Sequence, residues 1–428
     1  MTNLTAERLP DIKAQRIAGL DLGQNFIYPN YDGSSILNIP ASICHLLGVP
    51  GLGGSGLAPE ILAPLGDGIR HLIVILMDGL ALHRLQRWME DGATPIWKNL
   101  AGEGVLAPLT SVSPSTTSSA ITSLWTGRSP KEHGIVGYEL WLKEYGVVAN
   151  MILHSPMSYK DDTGSLEKAG FEAENYLPFQ TLGTHLQAHG IQPFVYQHYS
   201  IIHSGLSKMF LKDVQFRPVG TPADLWIGVR QWLEHQSIQP NYVWVYWSEL
   251  DHLSHFYGPD DERPAAEFTI FSQAFENLFL KRLSPAIRRD TAVILTSDHG
   301  QVATPKDPNY ELRNHPELNR YLHIAPTGEN RLIYLYVRPG RIKDVQAYVE
   351  RTWPGEFKVL KAANIAKSGL FGPGEAHPEL RNRLGDLVLV PQGNHYLWWN
   401  DLKPNPLLGR HGGFHVEEML VPFLAARL

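Results

Sequence analysis

Leu72-Ile-Val-Ile-Leu-Met77 runs directly into Asp78-Gly79, and this junction decides the fold. An unbroken apolar run rich in β-branched side chains reads as a strand buried on both faces, the pattern of a parallel sheet covered by helices. Two further segments repeat the arrangement. Tyr242-Val-Trp-Val-Tyr-Trp247 leads into Ser248-Glu-Leu-Asp251, and Ala292-Val-Ile-Leu-Thr296 leads into Ser297-Asp-His-Gly300. Between these two lies a helical pattern over residues 264–283, with Phe268, Phe271, Phe275 and Phe279 on one face and Pro264 near the start. Alternating strands and helices imply a doubly wound, mostly parallel α/β sheet flanked by helices. Ligands of such sheets bind beyond the carboxyl ends of the strands, where all three acidic clusters fall.

The chain has 428 residues, 43% hydrophobic and 19% charged, which is the composition of a folded protein large enough for a sizeable core. With 37 basic against 43 acidic residues the formal charge is −6, so no excess of positive charge is available for duplex nucleic acid. The single cysteine, Cys44, excludes an internal disulfide and, with a charged start, points to the cytoplasm. The apolar runs are far shorter than the ~20 residues that cross a bilayer, so no membrane partner is expected. Turn signals dominate residues 1–66, read as an irregular N-terminal lobe. The catalytic domain is expected to comprise 67–302 and 386–428, the latter opening on a strand-like Asp386 to Val390. Residues 303–385, with a strand-like Arg331 to Val337 and a helix-like Ile342 to Trp353, read as an inserted cap.

Asp251 and His255 stand four residues apart, a spacing that faces both side chains one way on a helix start and suits a metal-ligand pair. Alone, such a pair is more often a surface feature. Asp298-His299 reaches one ion only from an irregular loop, and Asp78 doubles as a helix cap. His411 lies in Gly409-Arg-His-Gly-Gly413, where glycines permit close approach of the backbone to a ligand, with His415 as a rival. The segment Val112-Ser-Pro-Ser-Thr-Thr-Ser-Ser-Ala120 carries six hydroxyls before a helix-like Ile121 to Trp125, more than capping requires. A hydroxyl at a helix start sits where the free N–H groups favour a phosphate. The ensemble of three Asp, three His and a hydroxyl cluster at one sheet edge matches two divalent ions about 4 Å apart, the arrangement for in-line displacement at phosphorus.

These segments resemble the alkaline phosphatase superfamily, and within it the type I phosphodiesterase/nucleotide pyrophosphatase branch. The resemblance rests on Met77-Asp-Gly79, Ser113-Pro-Ser-Thr-Thr117, Thr126-Gly-Arg-Ser-Pro130 with His133-Gly134, Asp251-x-x-x-His255, Ser297-Asp-His-Gly300 and Gly409-Arg-His-Gly-Gly413. It implies one metal held by Asp251, His255 and His411, and another held by Asp78, Asp298 and His299. Thr117 would be both ligand and nucleophile, with Thr116, Ser115 and Ser118 as lower-ranked rivals. The metals are expected to be Zn²⁺, although Mn²⁺ or Fe would accept the same donors. Tyr138 stands where nucleotide pyrophosphatases usually place an asparagine that holds a phosphate oxygen, and Ser118 and Tyr138 are the expected substrate contacts.

The implied function is hydrolysis of a small-molecule phosphodiester through a phosphothreonine. The alternatives are a phosphomonoesterase or phosphonate hydrolase with the same metals, and a non-catalytic metal-binding regulatory protein. A sulfatase is disfavoured, because its nucleophile is a modified cysteine and none occurs in this element.

Overall fold

The strands His71–Met77, Asn241–Trp247 and Thr291–Thr296 lie side by side and parallel at the centre of an eight-stranded sheet. Every residue of the three is buried, as expected of strands covered on both faces. The computed structural model describes residues 2–428 apart from 24, 159–161, 237–238 and 401–403. Gln192–His198 and Gln215–Val219 continue the parallel order on one side. On the other, Leu420–Arg427 enters antiparallel between Thr291–Thr296 and Val105–Thr110, and Thr2–Asn3 closes the edge. The mostly parallel α/β sheet read from the sequence is present, with one reversed strand.

Register and reversal together determine what meets at the sheet edge. Met77 pairs with Trp247, and Leu76 with Thr296, so three chains leave the sheet at one level carrying Asp78, Asp251 and Asp298. Val105–Thr110 points the same way and delivers the hydroxyl segment. The reversed strand begins at this edge, with Leu420 opposite Thr110, so the chain entering it brings His411 to the same place.

The aromatic helix spans Glu262–Ala274 and ends in a wider π turn, Phe275–Phe279. All four phenylalanines are fully buried, and Phe275 stacks on Trp97 with ring centroids 4.9 Å apart. Burying each ring contributes about 2 kcal/mol, so this helix anchors one layer to the sheet.

A second, antiparallel sheet of seven strands lies over the edge. Its order is Phe357–Lys361, Leu387–Pro391, Leu332–Val337, Leu322–Glu329, Glu139–Leu142, Val147–Asn150 and Ser155–Pro156. Four of its strands come from the two segments that the sequence assigns to the catalytic domain. Leu387–Pro391 pairs with Leu332–Val337 and Phe357–Lys361, and the 139–156 strands continue the same sheet. A buried apolar run announces a strand but not which sheet receives it, because pairing is non-local. The second sheet has its own core around Trp353, Tyr348, Leu318 and Leu389.

Candidate metal-dependent active site

The chain turns sharply after Asp78 because Gly79 adopts φ +77°, a left-handed conformation that glycine takes without steric penalty. The turn aims the Asp78 carboxylate back along the sheet edge, where the Tyr246 hydroxyl donates to its Oδ2. Beside it, Asp298 Oδ1 accepts from the backbone N–H groups of His299 at 3.0 Å and Gly79 at 3.3 Å. The remaining oxygens, Asp78 Oδ1 and Asp298 Oδ2, are buried with no hydrogen-bond partner among the described residues. Each faces His299 Nε2, at 3.5 Å and 3.3 Å. The Thr117 hydroxyl lies 3.1 Å from the same nitrogen.

Asp251 and His255 sit one turn apart on the helix Glu249–Tyr257, as their spacing predicts, with His255 Nε2 3.3 Å from Asp251 Oδ2. His411 Nε2 approaches Asp251 Oδ1 at 3.9 Å, and its ring stacks on His299 with centroids 3.7 Å apart. Gln301 donates to the Asp251 carboxylate and holds it in place. The donor atoms of Asp251, His299 and His411 converge within 4.8 Å of one another, as do those of Asp78, Asp298 and His299. His299 therefore joins two clusters, and His255 flanks the first through Asp251.

The histidines are oriented alike. Each donates Nδ1–H to a backbone carbonyl: His255 to Gly409 at 2.9 Å, His299 to Gly300 at 3.1 Å and His411 to Ser115 at 3.1 Å. This fixes the tautomer and leaves three Nε2 lone pairs aimed inward, as in metal-binding histidines whose other ring nitrogen is held by a carbonyl. Burial, with His299 and His255 nearby, holds His411 well below the ordinary imidazole range and keeps it neutral. Burial and the charges of Asp298 and Asp251 push Asp78 well above the carboxylate range. Among the described residues no lysine or arginine pairs with Asp78, Asp251 or Asp298; their only ion-pair partners are histidines. Clustered buried carboxylates without a counter-charge are costly. Inward lone pairs and unpartnered oxygens are the donor set that divalent cations take, so these residues fit the metals implied by the sequence.

Of the six hydroxyls, only that of Thr117 meets the clusters. Ser115 donates to the Gly413 carbonyl and Ser118 to the Gly137 carbonyl, while Ser119 donates to that of Ile135. Thr116 donates to Glu329 Oε1 at 2.5 Å. The abundance of hydroxyls thus ties loops together. The Ser118 side chain faces away from the site, leaving only its backbone N–H at the helix start. His415 caps the Val416–Met419 helix instead of approaching the clusters. Tyr138 lines the cleft, with its hydroxyl accepting from Asn150 Nδ2 at 2.6 Å. Sequence reasoning missed Tyr246, Gln301, Glu139 and Glu329. Only Gln301 had a usable signal, its position right after Asp298-His-Gly300.

Two cavities meet at Thr117. The larger, about 350 Å³, is bordered by Asp251, His255 and His411 and rises under the second sheet to Tyr138, Trp398 and Trp399. The smaller, about 60 Å³, is an apolar slot lined by Trp125, Phe210, Trp244 and Ile201 among others. Thr117 and Ile152 border both.

No curated protein sequence matches the chain. Among solved structures, murine ectonucleotide pyrophosphatase/phosphodiesterase 5 superposes with a TM-score of 0.61 at 19% identity, covering 83% of this chain and 87% of its own. Phosphonoacetate hydrolase from Sinorhizobium meliloti 1021, bound to phosphonoformate, gives 0.60 at 18% identity over 84% and 91% of the two chains. At these identities the likeness establishes the fold alone. A family profile described as type I phosphodiesterase / nucleotide pyrophosphatase matches residues 72–414, from the first central strand to the loop that carries His411. The chain belongs to this family of metal-dependent hydrolases of phosphate-ester bonds.

Proposed function

We propose that the chain is a phosphodiesterase that works through a phosphothreonine at Thr117 on a two-metal site. The observation that carries the reading is the position of the Thr117 hydroxyl, 3.1 Å from the His299 nitrogen at which the two carboxylate–histidine clusters join. One metal would be held by Asp251, His255 and His411, the other by Asp78, Asp298 and His299 together with Thr117, and Zn²⁺ suits these donors best. Bound there, the ions supply positive charge to the phosphoryl and leaving oxygens and lower the pKa of a hydroxyl or water.

The chain's own groups define the rest. Thr117 opens the helix Thr117–Thr126, whose N-cap makes no side-chain hydrogen bond because Thr116 donates to Glu329 instead. The first-turn N–H groups, that of Ser118 among them, thus remain available to the phosphoryl oxygens. Thr117 gives up its hydroxyl proton to solvent as Oγ1 attacks phosphorus in line: the Oγ1–P bond forms, the bond to one ester oxygen breaks, and the departing alkoxide takes up a proton from solvent. Water then attacks phosphorus, the Oγ1–P bond breaks, a proton of that water returns to Thr117 Oγ1, and the monoester is released. The two cavities that meet at Thr117 favour a diester, since a monoester has only one organic arm to place.

Hydrolysis of bis-p-nitrophenyl phosphate against p-nitrophenyl phosphate by zinc-loaded protein tests this. The diester is expected to be preferred, and Thr117→Ala to lose at least about 10³-fold in turnover while still binding metal. A monoester preference would turn the reading to a phosphatase. Full activity in Thr117→Ala would refute the nucleophile.

A further inference from the structure

The hydroxyl next to the proposed nucleophile is placed to cap its own helix and does not. Thr116 is the N-cap of Thr117–Thr126, with extended backbone at φ −139° and ψ 146°. From such a backbone a threonine oxygen ordinarily accepts from the N–H two or three residues on, here that of Ser118 or Ser119. Thr221 shows the ordinary case: at φ −145° and ψ 158° it caps the helix Pro222–His235 by accepting from the Asp224 N–H at 3.2 Å. Thr116 has nearly the same backbone and makes no such bond, and its hydroxyl donates to Glu329 Oε1 at 2.5 Å. The helix ladder begins only at Ala120, whose N–H donates to the Thr116 carbonyl at 2.9 Å. The N–H groups ahead of it are those the phosphoryl oxygens would use, so a capping Thr116 would compete with the substrate.

Glu329 is held as a fixed acceptor. It ends the strand Leu322–Glu329 and pairs with Leu332 across a hairpin turn. Both residues of the turn are tied down: Asn330 Nδ2 donates to the Leu397 carbonyl at 2.9 Å, and Arg331 Nη2 to Glu418 Oε2 at 2.7 Å. The oxygen that receives Thr116 also accepts from the Tyr138 N–H at 2.8 Å, an anchor independent of Thr116. On another flank the His411 loop passes so closely that a Cβ on Gly412 would lie 2.6 Å from the Glu329 Cβ and Cγ. The carboxyl therefore has little room to follow Thr116 towards the helix. A threonine hydroxyl has one proton to give, and with it given to Glu329 the first turn stays uncapped.

We propose that Glu329 is a positioning residue for phosphoryl transfer: acting through Thr116, it keeps the first turn of the Thr117 helix open to the phosphoryl oxygens. The proposal rests on the reading of Thr117 as the nucleophile.

The test measures kcat and KM for bis-p-nitrophenyl phosphate with zinc-loaded variants, alongside their zinc content. Glu329→Leu removes the acceptor and frees Thr116 to cap, so kcat is expected to fall by about 10²-fold or more, the worth of one donor to the transition state, with zinc retained. Valine has the shape of threonine and no oxygen to cap with. Adding Thr116→Val to Glu329→Leu is therefore expected to raise kcat at least about tenfold above the single variant. The Tyr138 N–H loses its acceptor in both, so that loss cancels. A damaged scaffold would not be repaired by a second substitution beside the first. Glu329→Gln keeps the bonded oxygen and is expected to recover most of what Glu329→Leu loses. Wild-type kcat in Glu329→Leu, or a double variant no faster than the single one, overturns the proposal. Should Glu329→Leu not fold, Thr116→Asn decides: its amide donates to Glu329 while its oxygen caps the first turn, so kcat is expected to fall about 10²-fold, and an unchanged kcat overturns the proposal. If Thr117→Ala is inactive and Glu329→Leu turns over at the wild-type rate, only this inference falls. If Thr117→Ala keeps full activity, the nucleophile reading fails and takes the inference with it.

Discussion

Gly79→Ala probes how the two halves of the site depend on one backbone turn. At φ +77° an alanine pays the left-handed penalty of about 1–2 kcal/mol, whatever space surrounds it. The added Cβ would also lie 3.1 Å from the Asp251 Cα and Cβ and 3.3 Å from its Oδ1. Those atoms belong to a helix carrying a proposed metal ligand, so relief requires Asp251 to retreat by a few tenths of an ångström. Displacing a ligand's support typically weakens metal binding 10- to 100-fold, equivalent to about 1.4–2.8 kcal/mol. Urea unfolding with and without excess zinc separates the two effects. Without metal, the variant is expected to lose about 1–2 kcal/mol. With metal, the stabilisation gained should shrink by a further amount of about 1.4–2.8 kcal/mol, because bound ligand stabilises in proportion to its affinity. Unchanged metal stabilisation would show that a methyl group fits between Asp78 and Asp251, refuting the close approach. Unchanged stability without metal would refute the left-handed turn.

Tyr246→Phe removes the hydroxyl that donates to Asp78 Oδ2. Zinc affinity measured by competition with a chelator is expected to fall by about 1.5–3 kcal/mol, the worth of a hydrogen bond to a charged group. Asp78 is held well above the carboxylate range when metal-free. A metal must therefore displace its proton, and affinity should drop as pH falls, by up to about tenfold per pH unit. In the larger cavity, burial pushes Glu139 up to about 7 and Glu329 up to about 8, with Glu139 and Asp251 as the acids that act on Glu329. They are neutral at low pH and ionise as pH rises, so hydrolysis of an ester with an anionic arm should weaken relative to one with a neutral arm from about pH 6 to about pH 9, read as the ratio of their kcat/KM values. Glu418 is fully buried and accepts from Arg331 Nη2 at 2.7 Å and from the Gly413 and His415 N–H groups, fixing the loop that holds His411. Glu418→Ala strands the Arg331 charge and should destabilise by about 3–5 kcal/mol, whereas Arg331→Met/Glu418→Leu should recover much stability without restoring zinc affinity.

Some of this was legible in the chain because its causes are local. Strands such as His71–Met77 announce themselves by continuous β-branched residues, and the acid after each one marks the carboxyl edge whatever its neighbours are. Asp251 and His255 needed only a helix turn to face together. What stayed hidden depends on partners far away in sequence. Tyr246 sits in a run of apolar residues and reads as core, yet its ring belongs to the core while its hydroxyl reaches Asp78 across the strand pairing. The hydroxyl segment advertised phosphate chemistry by its abundance, but Ser115, Thr116, Ser118 and Ser119 are occupied by partners 16 to 298 residues distant, which composition does not reveal. Glu329 ends a strand whose membership in the second sheet no local pattern specifies. Its role arises because Gly412, at φ +107°, lets the His411 loop pass so close that a Cβ there would lie 2.6 Å from the Glu329 Cβ. The proposed metal-binding half of the site thus follows from strand ends, which sequence marks. The wall of the larger cavity follows from how one sheet is laid over another. Substitutions in that wall can redirect specificity while the strand-end residues stay the same, since the contacts between the two halves, such as Thr116 to Glu329 and Gly412 against Glu329, run through neighbours of Thr117 and His411 and not through those residues themselves.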